Sequence, residues 1–449
     1  RAHLRYFTEL TVAATAHLWR REQLDWLATL GTEQANIVAA MRAALAHGEA
    51  EPAMRLAAGA GWYWWLAGHK AEGLELITAA LELPGEVPDQ IRAMVAALLV
   101  QFLTAGFGDE QRAAHWIREA TRLSRGLPED QARHPALRAT LPLERVLRDP
   151  AHAAEAFTVL LDEEDPWLRA IGRLHLGKQR ALRGDGSTEV DAALAAALTE
   201  FRAVGERFGI SFALTELADR IAARGEFARA CAHYREAIAA VTEIGAVDDV
   251  IRMQIRLAQL LWLAGEPEAS AAAAAVADRY ADGATWPDTL AQLALARAGL
   301  ARWNGDPDEA RRQLGRAVEL LEDVLQAESM RAWISHLRAY AAEDAEQARE
   351  LRRATCRFAA GSGHPTAIAQ VLVGVADQAL GDGDRERAAR LLGAAERQLG
   401  LSDRSNPDLV RIEREVRDRL GAAGYGELRA EGAAADWMRL VEETLGAVR

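Results

Sequence analysis

The chain has 449 residues, and half of them are hydrophobic, which excludes a disordered polypeptide. It carries 53 Lys and Arg against 66 Asp and Glu, a net charge of −13. Only two lysines occur, Lys70 and Lys178, and the arginines are scattered among acids. A large nucleic-acid footprint needs clustered basic residues, so this composition argues against direct DNA binding.

The two cysteines, Cys231 and Cys356, cannot form a disulfide framework, and they belong to no Cys/His cluster with zinc-ligand spacing. No uninterrupted apolar stretch approaches the ~18 residues of a membrane span, and no signal peptide opens the sequence. We therefore expect a cytoplasmic location and no membrane partner. Because the chain begins at Arg1 and not at methionine, we expect it to be part of a longer protein.

The first elements that recur along the chain are short polar turns that contain glycine. Between the best-formed turns the step is about 40 residues, for example 265 − 225 = 40 and 305 − 265 = 40. Two intervals between turns are about twice this step, and a degenerate turn stands within each of them, at Arg148-Asp149-Pro150 and at Glu343-Asp344-Ala345. The turn glycines are Gly68, Gly108, Gly184, Gly225, Gly265, Gly305 and Gly383. One period repeated this often predicts a repeat architecture.

Each turn separates two stretches with the apolar spacing of amphipathic helices. Small residues stand five and twelve positions after the well-formed glycines, as Ala230 and Ala237 do after Gly225. Two antiparallel helices whose backbones cross closely admit only small side chains at the crossing. The sequence thus predicts an all-α solenoid of antiparallel helix pairs, with a period of about 40 residues and a concave face. The pattern resembles the tetratricopeptide repeat (TPR), so we expect a TPR-like fold.

Departures from the period divide the chain into five predicted segments. They are an N-terminal helical cap or linker (1–50), first repeats (51–125), degenerate repeats (126–190), regular repeats (191–400) and C-terminal capping helices (401–449). Terminal units that differ from the rest are expected, because one face of each must meet water.

Catalytic and cofactor signatures are absent from the sequence. It contains no phosphate-binding glycine loop, no HExxH or GxSxG, and no histidine with a second ligand at a metal-binding interval. We therefore predict a non-enzymatic chain with no cofactor and no metal in this fragment.

Twelve tryptophans stand out, three of them within Trp62-Tyr63-Trp64-Trp65. In the repeat register, the positions six and three before a turn glycine face the concave surface, where an exposed indole suits binding. Alternatively, Trp62 and Trp65 pack against the helices of residues 1–50. The candidate binding residues on the concave face are Arg55, Trp62, Trp65, Arg252, Gln259, Trp262 and Arg302.

Four segments resemble one family of bacterial regulators. They are residues 30–45, beginning Leu30-Gly31-Thr32-Glu33, then WYWWLAGHKAEGLELITAAL (62–81), AARLLGAAERQLG (388–400) and LGAAGYGELRAEGAAADWM (420–438). Together they are similar to segments of large actinobacterial transcriptional regulators of the Streptomyces antibiotic regulatory protein (SARP) type, and of the related ATP-binding LuxR-type regulators.

The resemblance implies a regulatory sensor region that controls an attached ATPase and DNA-binding unit, with secondary-metabolite genes as targets. The implied partners are those attached modules and a small-molecule effector or protein. No residue here matches the family's ATP-binding or DNA-binding motifs. The alternative is a TPR scaffold for protein–protein interaction, whose open groove would hold a peptide or helix. A closed pocket would favour the sensor.

Overall fold

The computed structural model describes residues 2–104, 110–129, 131–321, 328–342, 344–363 and 365–446. The predicted turns at Gly108 and at Glu343 lie outside these residues. The N-terminal helices are α1 Ala2–Thr15, α2 Gln23–Thr32, α3 Gln34–Ala46, α4 Ala50–Leu66, α5 Lys70–Glu82, α6 Asp89–Leu103, α7 Glu110–Ser124 and α8 Pro135–Arg148. Two short 3₁₀ helices follow, Pro150–His152 and Glu155–Leu160.

The regular helices come next. They are α9 Pro166–Leu182, α10 Thr188–Val204, α11 Arg207–Ala223, α12 Phe227–Glu243, α13 Val247–Leu263, α14 Pro267–Ala281, α15 Pro287–Trp303, α16 Pro307–Leu320, α17 Glu328–Tyr340, α18 Ala345–Ser362, α19 Pro365–Gly381 and α20 Arg385–Leu399. The chain then forms α21 Pro407–Ala434, which is bent at Gly421, and α22 Trp437–Leu445.

Consecutive helices form antiparallel pairs, α11 with α12, α13 with α14, α15 with α16, α17 with α18 and α19 with α20. Each pair also packs on the next one along the chain. The described residues contain helices and no strand. This architecture confirms the predicted all-α, TPR-like solenoid.

Five of the turn glycines end the first helix of their pairs through one hydrogen-bond pattern: Gly184, Gly225, Gly265, Gly305 and Gly383. At Gly225, φ is +86°, which a residue with a Cβ adopts only under strain. The Gly225 N–H donates to the Ala222 carbonyl at 2.8 Å, and the Glu226 N–H donates to the Ile221 carbonyl at 3.2 Å. These two bonds form a Schellman motif, which satisfies the last carbonyls of α11.

The predicted small positions lie where helices cross. Ala237 is fully buried, and so are its counterparts later in the chain, Ala277, Ala317 and Ala395. At Gly73 an added Cβ would lie 2.9 Å from the Cβ of Trp64 and 3.0 Å from the ring of Phe102. Any larger side chain there would push α5 away from its neighbours.

Two long-range contacts bring distant repeats together. The turn after α4 meets the start of α13, where the Lys70 ammonium lies 2.7 Å from the Asp249 carboxylate and both side chains are buried. The Thr285 hydroxyl also donates to the Gly68 carbonyl at 3.1 Å. Further along, the turn after α9 meets the end of α20, because Gly184 and Gly400 pack directly against each other.

We predict that Ala237→Leu lowers the free energy of unfolding by about 1–3 kcal/mol, because leucine overpacks a helix crossing with no free space. Ala239 lies two residues further along α12 and is exposed. Ala239→Leu is therefore the matched control, and urea unfolding should show it close to the unmodified chain. Equal stability of the two variants would contradict the helix register described above.

A second prediction concerns the buried Lys70–Asp249 pair. Burial opposes ionisation of Asp249, but Lys70 and Arg252 lower the pKa of this carboxyl to about 2. Lys70→Met should lower the free energy of unfolding at pH 7 by about 3 kcal/mol, since the buried carboxylate loses one of its two partners.

The double variant Lys70→Met/Asp249→Leu tests the cause. It removes the charge that Lys70→Met leaves behind, so urea unfolding should show most of the lost stability restored. A double variant less stable than the single one would mean that the carboxylate has stabilising contacts beyond this pair.

Candidate functional site

A cavity of about 630 Å³ lies on the concave face of the regular repeats. Its walls come from the inner helices α9, α11, α13, α15, α17 and α19. One side is closed by residues 400–406 between α20 and α21, here named the C-terminal strap, and by the first residues of α21. Small-ligand pockets commonly have volumes of roughly 300–1,000 Å³, so this cavity has the size of a small-ligand site.

The strap is held against the repeats by directional contacts. The Arg404 N–H donates to the Ala223 carbonyl at 2.8 Å, at the end of α11. The Arg302 guanidinium on α15 forms a bidentate ion pair with Asp408, with nitrogen–oxygen distances of 2.9 and 2.6 Å. Two parallel charge-assisted bonds of this kind fix geometry as well as supplying energy. The strap therefore connects α11 and α15 to the start of α21.

The charged residues of the wall are paired with one another. The Lys178 ammonium lies 2.7 Å from Glu216, and the Arg256 guanidinium lies 3.0 Å from Asp219. Asp219 also accepts a hydrogen bond from the Tyr234 hydroxyl at 3.1 Å. Burial alone would lower the pKa of Arg256, but the Asp219 carboxylate outweighs it and raises this pKa above its ordinary value.

His336 on α17 is a wall residue that stays neutral near pH 7. Burial lowers its pKa to about 4; the Asp408 carboxylate opposes this fall, and the positive charges of Arg302 and Arg352 add to it. Its imidazole ring stacks on Trp333 at a centroid distance of 5.7 Å and meets Tyr340 edge-on at 5.2 Å.

The apolar part of the wall lies on α15 and α17. Trp303 and Trp333 contribute indole rings, and Leu295 and Leu337 contribute buried aliphatic side chains. Three glutamines, Gln259, Gln292 and Gln370, line the same cavity and are half-buried. The cavity thus combines flat apolar surface, amide groups and internally paired charges.

Three of the predicted binding residues line this cavity: Arg252, Gln259 and Arg302. Arg252 pairs with Asp249, and the Gln259 side-chain carbonyl accepts a hydrogen bond from Arg256 at 3.3 Å. The structure places these three residues in the wall of one cavity. Their contact with a ligand stays a prediction.

Trp62 and Trp65 lie elsewhere, in the interior of the N-terminal half. Their side chains are only 3% and 6% exposed. Trp19, in the loop between α1 and α2, stacks on Trp62 with ring centroids 4.0 Å apart. The expectation of two indoles on an open concave wall is wrong, because Trp19 covers Trp62, and Phe102 and Phe208 pack on Trp65. The alternative of packing against the N-terminal helices describes where these rings lie.

The covering segment is itself held by buried polar contacts. Glu206 at the start of α11 accepts hydrogen bonds from the Gln23 amide at 2.8 Å and from the Trp167 indole at 3.3 Å. Burial raises the pKa of Glu206, while these donors and two backbone N–H groups oppose the rise. Arg20 adds an ion pair with Asp165 at 2.8 Å.

The two remaining predicted residues are not part of the cavity wall. Arg55 is exposed and pairs with Glu51 one helical turn away, at 2.7 Å. The Trp262 indole N–H donates to the Asn304 side chain at 2.8 Å, and its ring lies 5.2 Å from that of Trp303.

Sequence reasoning missed the α15 stripe and the strap. Gln292, Leu295, Ala296, Gly299 and Trp303 face the cavity from one helix. Their spacing of three and four residues is a signal that could have identified this face. The strap gives no such signal, because it reaches Ala223 and Gly184 across about two hundred residues of sequence.

No group of histidines, cysteines and carboxylates suited to a metal ion occurs among the described residues. Within the same residues, no helix combines the length and the apolar character needed to cross a bilayer.

No protein-family model matches the chain, and no curated protein matches it. Among solved structures, the chain is similar to a Rap protein complexed with Competence and Sporulation Factor, with a TM-score of 0.52 and 14% identity over 80% of this chain and 100% of that one. It is also similar to a STAND-type signal transduction ATPase with a tetratricopeptide repeat sensor from Pyrococcus horikoshii, with a TM-score of 0.42 and 12% identity over 84% of this chain and 55% of that one.

Yeast Tom70 is a further similar structure, with a TM-score of 0.36 and 14% identity over 95% of this chain and 99% of that one. At such identities a likeness shows the fold alone, and of these three structures the Rap protein has the TM-score that supports an argument. It agrees with the helix pairs and turns described above: the chain is a TPR-type helical solenoid.

The buried histidine of the cavity predicts a pH dependence of stability. An unfolded histidine titrates near pH 6.5, whereas His336 in the folded chain has a pKa of about 4. Unfolding therefore takes up a proton between these values, and the stability contributed by neutral His336 is lost as the pH falls through this window.

We expect His336→Leu to reduce the slope of the free energy of unfolding between pH 6.5 and 4 by up to about 1.4 kcal/mol per pH unit. Urea unfolding at pH 7, 6 and 5 measures the slope, and the same substitution at the exposed His47 is the control. A slope unchanged by His336→Leu would mean that this side chain is protonated in the folded chain.

Proposed function

We propose that the chain is the sensor region of a SARP-type bacterial transcriptional regulator, acting in the cytoplasm. Its cavity takes an effector, and occupancy controls an attached ATPase and DNA-binding unit, with genes of secondary metabolism as targets. The family part of this proposal rests on the four resembling segments. The sensor part rests on one observation, the cavity that the C-terminal strap bounds on one side.

That cavity supports a sensor because it joins parts of the solenoid that neighbour contacts alone would not couple. A ligand inside it touches α9 and α13 on one side and the strap on the other. Such a ligand stabilises the closed arrangement to the extent that it binds that arrangement better than an open one. Coupling free energies of this type are typically about 1–3 kcal/mol.

A shift of the strap can affect an attached module through the packing of the solenoid. Each helix pair packs on its neighbours, so a shift of the strap against α11 alters the curvature of the repeats between them. An attached module that contacts several repeats would respond to this change of curvature. The partners in this proposal are the ATPase and DNA-binding modules.

A second candidate is a scaffold that holds a peptide or a protein segment in the concave surface. Two observations favour it: repeat proteins use their concave faces for binding, and the similar Rap protein was solved in complex with Competence and Sporulation Factor. In that case the partner itself, and not a small molecule, would fill the cavity.

Gly299→Trp tests the cavity without a large packing cost. Gly299 lies within α15 on the cavity wall, and a Cβ placed there meets no atom within 4 Å. The indole would fill the cavity, and a non-glycine residue also suits a helix interior better than glycine does. Gly426→Trp is the matched control, because Gly426 is an exposed position within α21 with equally open surroundings.

The measurement is hydrogen–deuterium exchange of the 449-residue chain, titrated with a small-molecule extract of its host and then with the ATPase module. We expect the extract to slow exchange of the strap amides at least tenfold in the unmodified chain and in Gly426→Trp, and to have no effect in Gly299→Trp. Protection by the module alone would favour the scaffold. Strap amides that respond to neither would contradict both functions.

A further inference from the structure

We infer that the cavity takes an uncharged small molecule, with a flat apolar ring system and with groups that both donate and accept hydrogen bonds. The inference names the ligand class for the site in the proposed function and rests on that function. Its basis is the pairing of the charged and polar groups of the wall.

Every cation that lines the cavity already has a carboxylate partner. The pairs are Lys178 with Glu216, Arg220 with Asp191, Arg252 with Asp249, Arg256 with Asp219, and Arg302 with Asp408. An anionic ligand would therefore have to compete with a protein carboxylate for each cation. Displacing Asp249 or Asp408, whose side chains are 4% and 11% exposed, would leave a largely buried carboxylate without one of its cations, which is costly.

The anions of the wall are satisfied as well. Glu216, Asp219 and Asp408 belong to the ion pairs just described, and Asp403 accepts hydrogen bonds from the backbone N–H and the hydroxyl of Ser405 at 2.9 and 2.7 Å. A cationic ligand would therefore have to displace an arginine or lysine from Glu216, Asp219 or Asp408, and at Asp403 the Oδ1 atom already accepts two hydrogen bonds. His336 adds no charge, because its burial keeps it neutral near pH 7.

Neutral groups are what the wall leaves available. Gln292 and Gln370 line the cavity and form no side-chain hydrogen bond to another described residue. Each amide offers two N–H donors and a carbonyl acceptor. The Gln259 carbonyl accepts from Arg256, which leaves its NH₂ group without a partner. These amides occupy α13, α15 and α19, so they reach a ligand from three directions.

The apolar groups set the shape of the ligand. Trp303 and Trp333 present indoles on the inner helices α15 and α17, and Leu295 and Leu337 line the cavity from the same two helices. Planar rings stack on indole surfaces with little loss of side-chain entropy. A volume of about 630 Å³ admits a molecule of several fused rings and excludes a folded partner.

A fragment panel of matched charge classes tests the ligand class. The panel contains ring compounds in neutral, anionic and cationic forms, such as indole-3-acetamide, indole-3-acetate and tryptamine, and saturation-transfer NMR detects binding through the ligand signals. Cavity binders are the compounds that bind the unmodified chain and Gly426→Trp but not Gly299→Trp. We expect neutral compounds to dominate this set and to bind at least tenfold tighter than their charged counterparts.

Two further measurements exclude non-specific stacking. The affinity of the neutral binders should change less than twofold between 50 and 500 mM salt, since no ion pair forms. Gln292→Leu should weaken them at least fivefold, while Gln254→Leu, on α13 but outside the cavity wall, should not. The inference would be overturned if the cavity binders are mainly charged, or if Gln292→Leu leaves their affinity unchanged.

Failure of this inference and failure of the proposed function give different results. If host extract protects the strap and Gly299→Trp abolishes the protection, the sensor function stands even when the cavity binders are charged. If no compound of any charge binds in the cavity and the strap responds to the ATPase module alone, the ligand class and the small-molecule sensor both fail.

Discussion

The structure depends on the close approach of two glycines, Gly184 after α9 and Gly400 after α20. A Cβ on Gly400 would lie 1.7 Å from the Gly184 carbonyl oxygen, and both residues have positive φ, +78° and +70°. No other residue type could occupy either position without separating the two turns. Because the strap leaves α20 at this contact, the closure of the cavity depends on it.

The concave surface of the solenoid is used in two ways. In the N-terminal half, Trp19 and its neighbours fill the interior, so Trp62 and Trp65 serve as packing surface. In the half that follows, no comparable segment enters among the described residues, and the strap crosses at the edge. The difference is one of chain connectivity: the loop after α1 lies inside the first half, whereas the loop after α20 closes the second half from outside. The result is one packed interior and one cavity within the same fold.

How much the sequence predicts depends on how local each interaction is. The turn at Gly225 and the crossing at Ala237 are set within one helix pair, so spacing alone locates them. The cover over Trp62 requires Trp19 to meet Trp167 and Gln23 to meet Glu206, contacts that join residues far apart in the sequence. No periodic pattern encodes such meetings. For the same reason the position of the strap could not be predicted. The concave position of Arg252, Gln259 and Arg302, in contrast, is predicted from the repeat register.

The position of the strap also determines when binding becomes possible during synthesis. Helix pairs of a solenoid contact mainly their neighbours, so they can fold one after another as the chain leaves the ribosome. The wall helices α9 to α19 are therefore in place before residues 400–408 emerge. Until then the future cavity is an open channel whose Arg302 has no Asp408 to pair with. A nascent chain would therefore lack the complete cavity in which we propose that an effector binds.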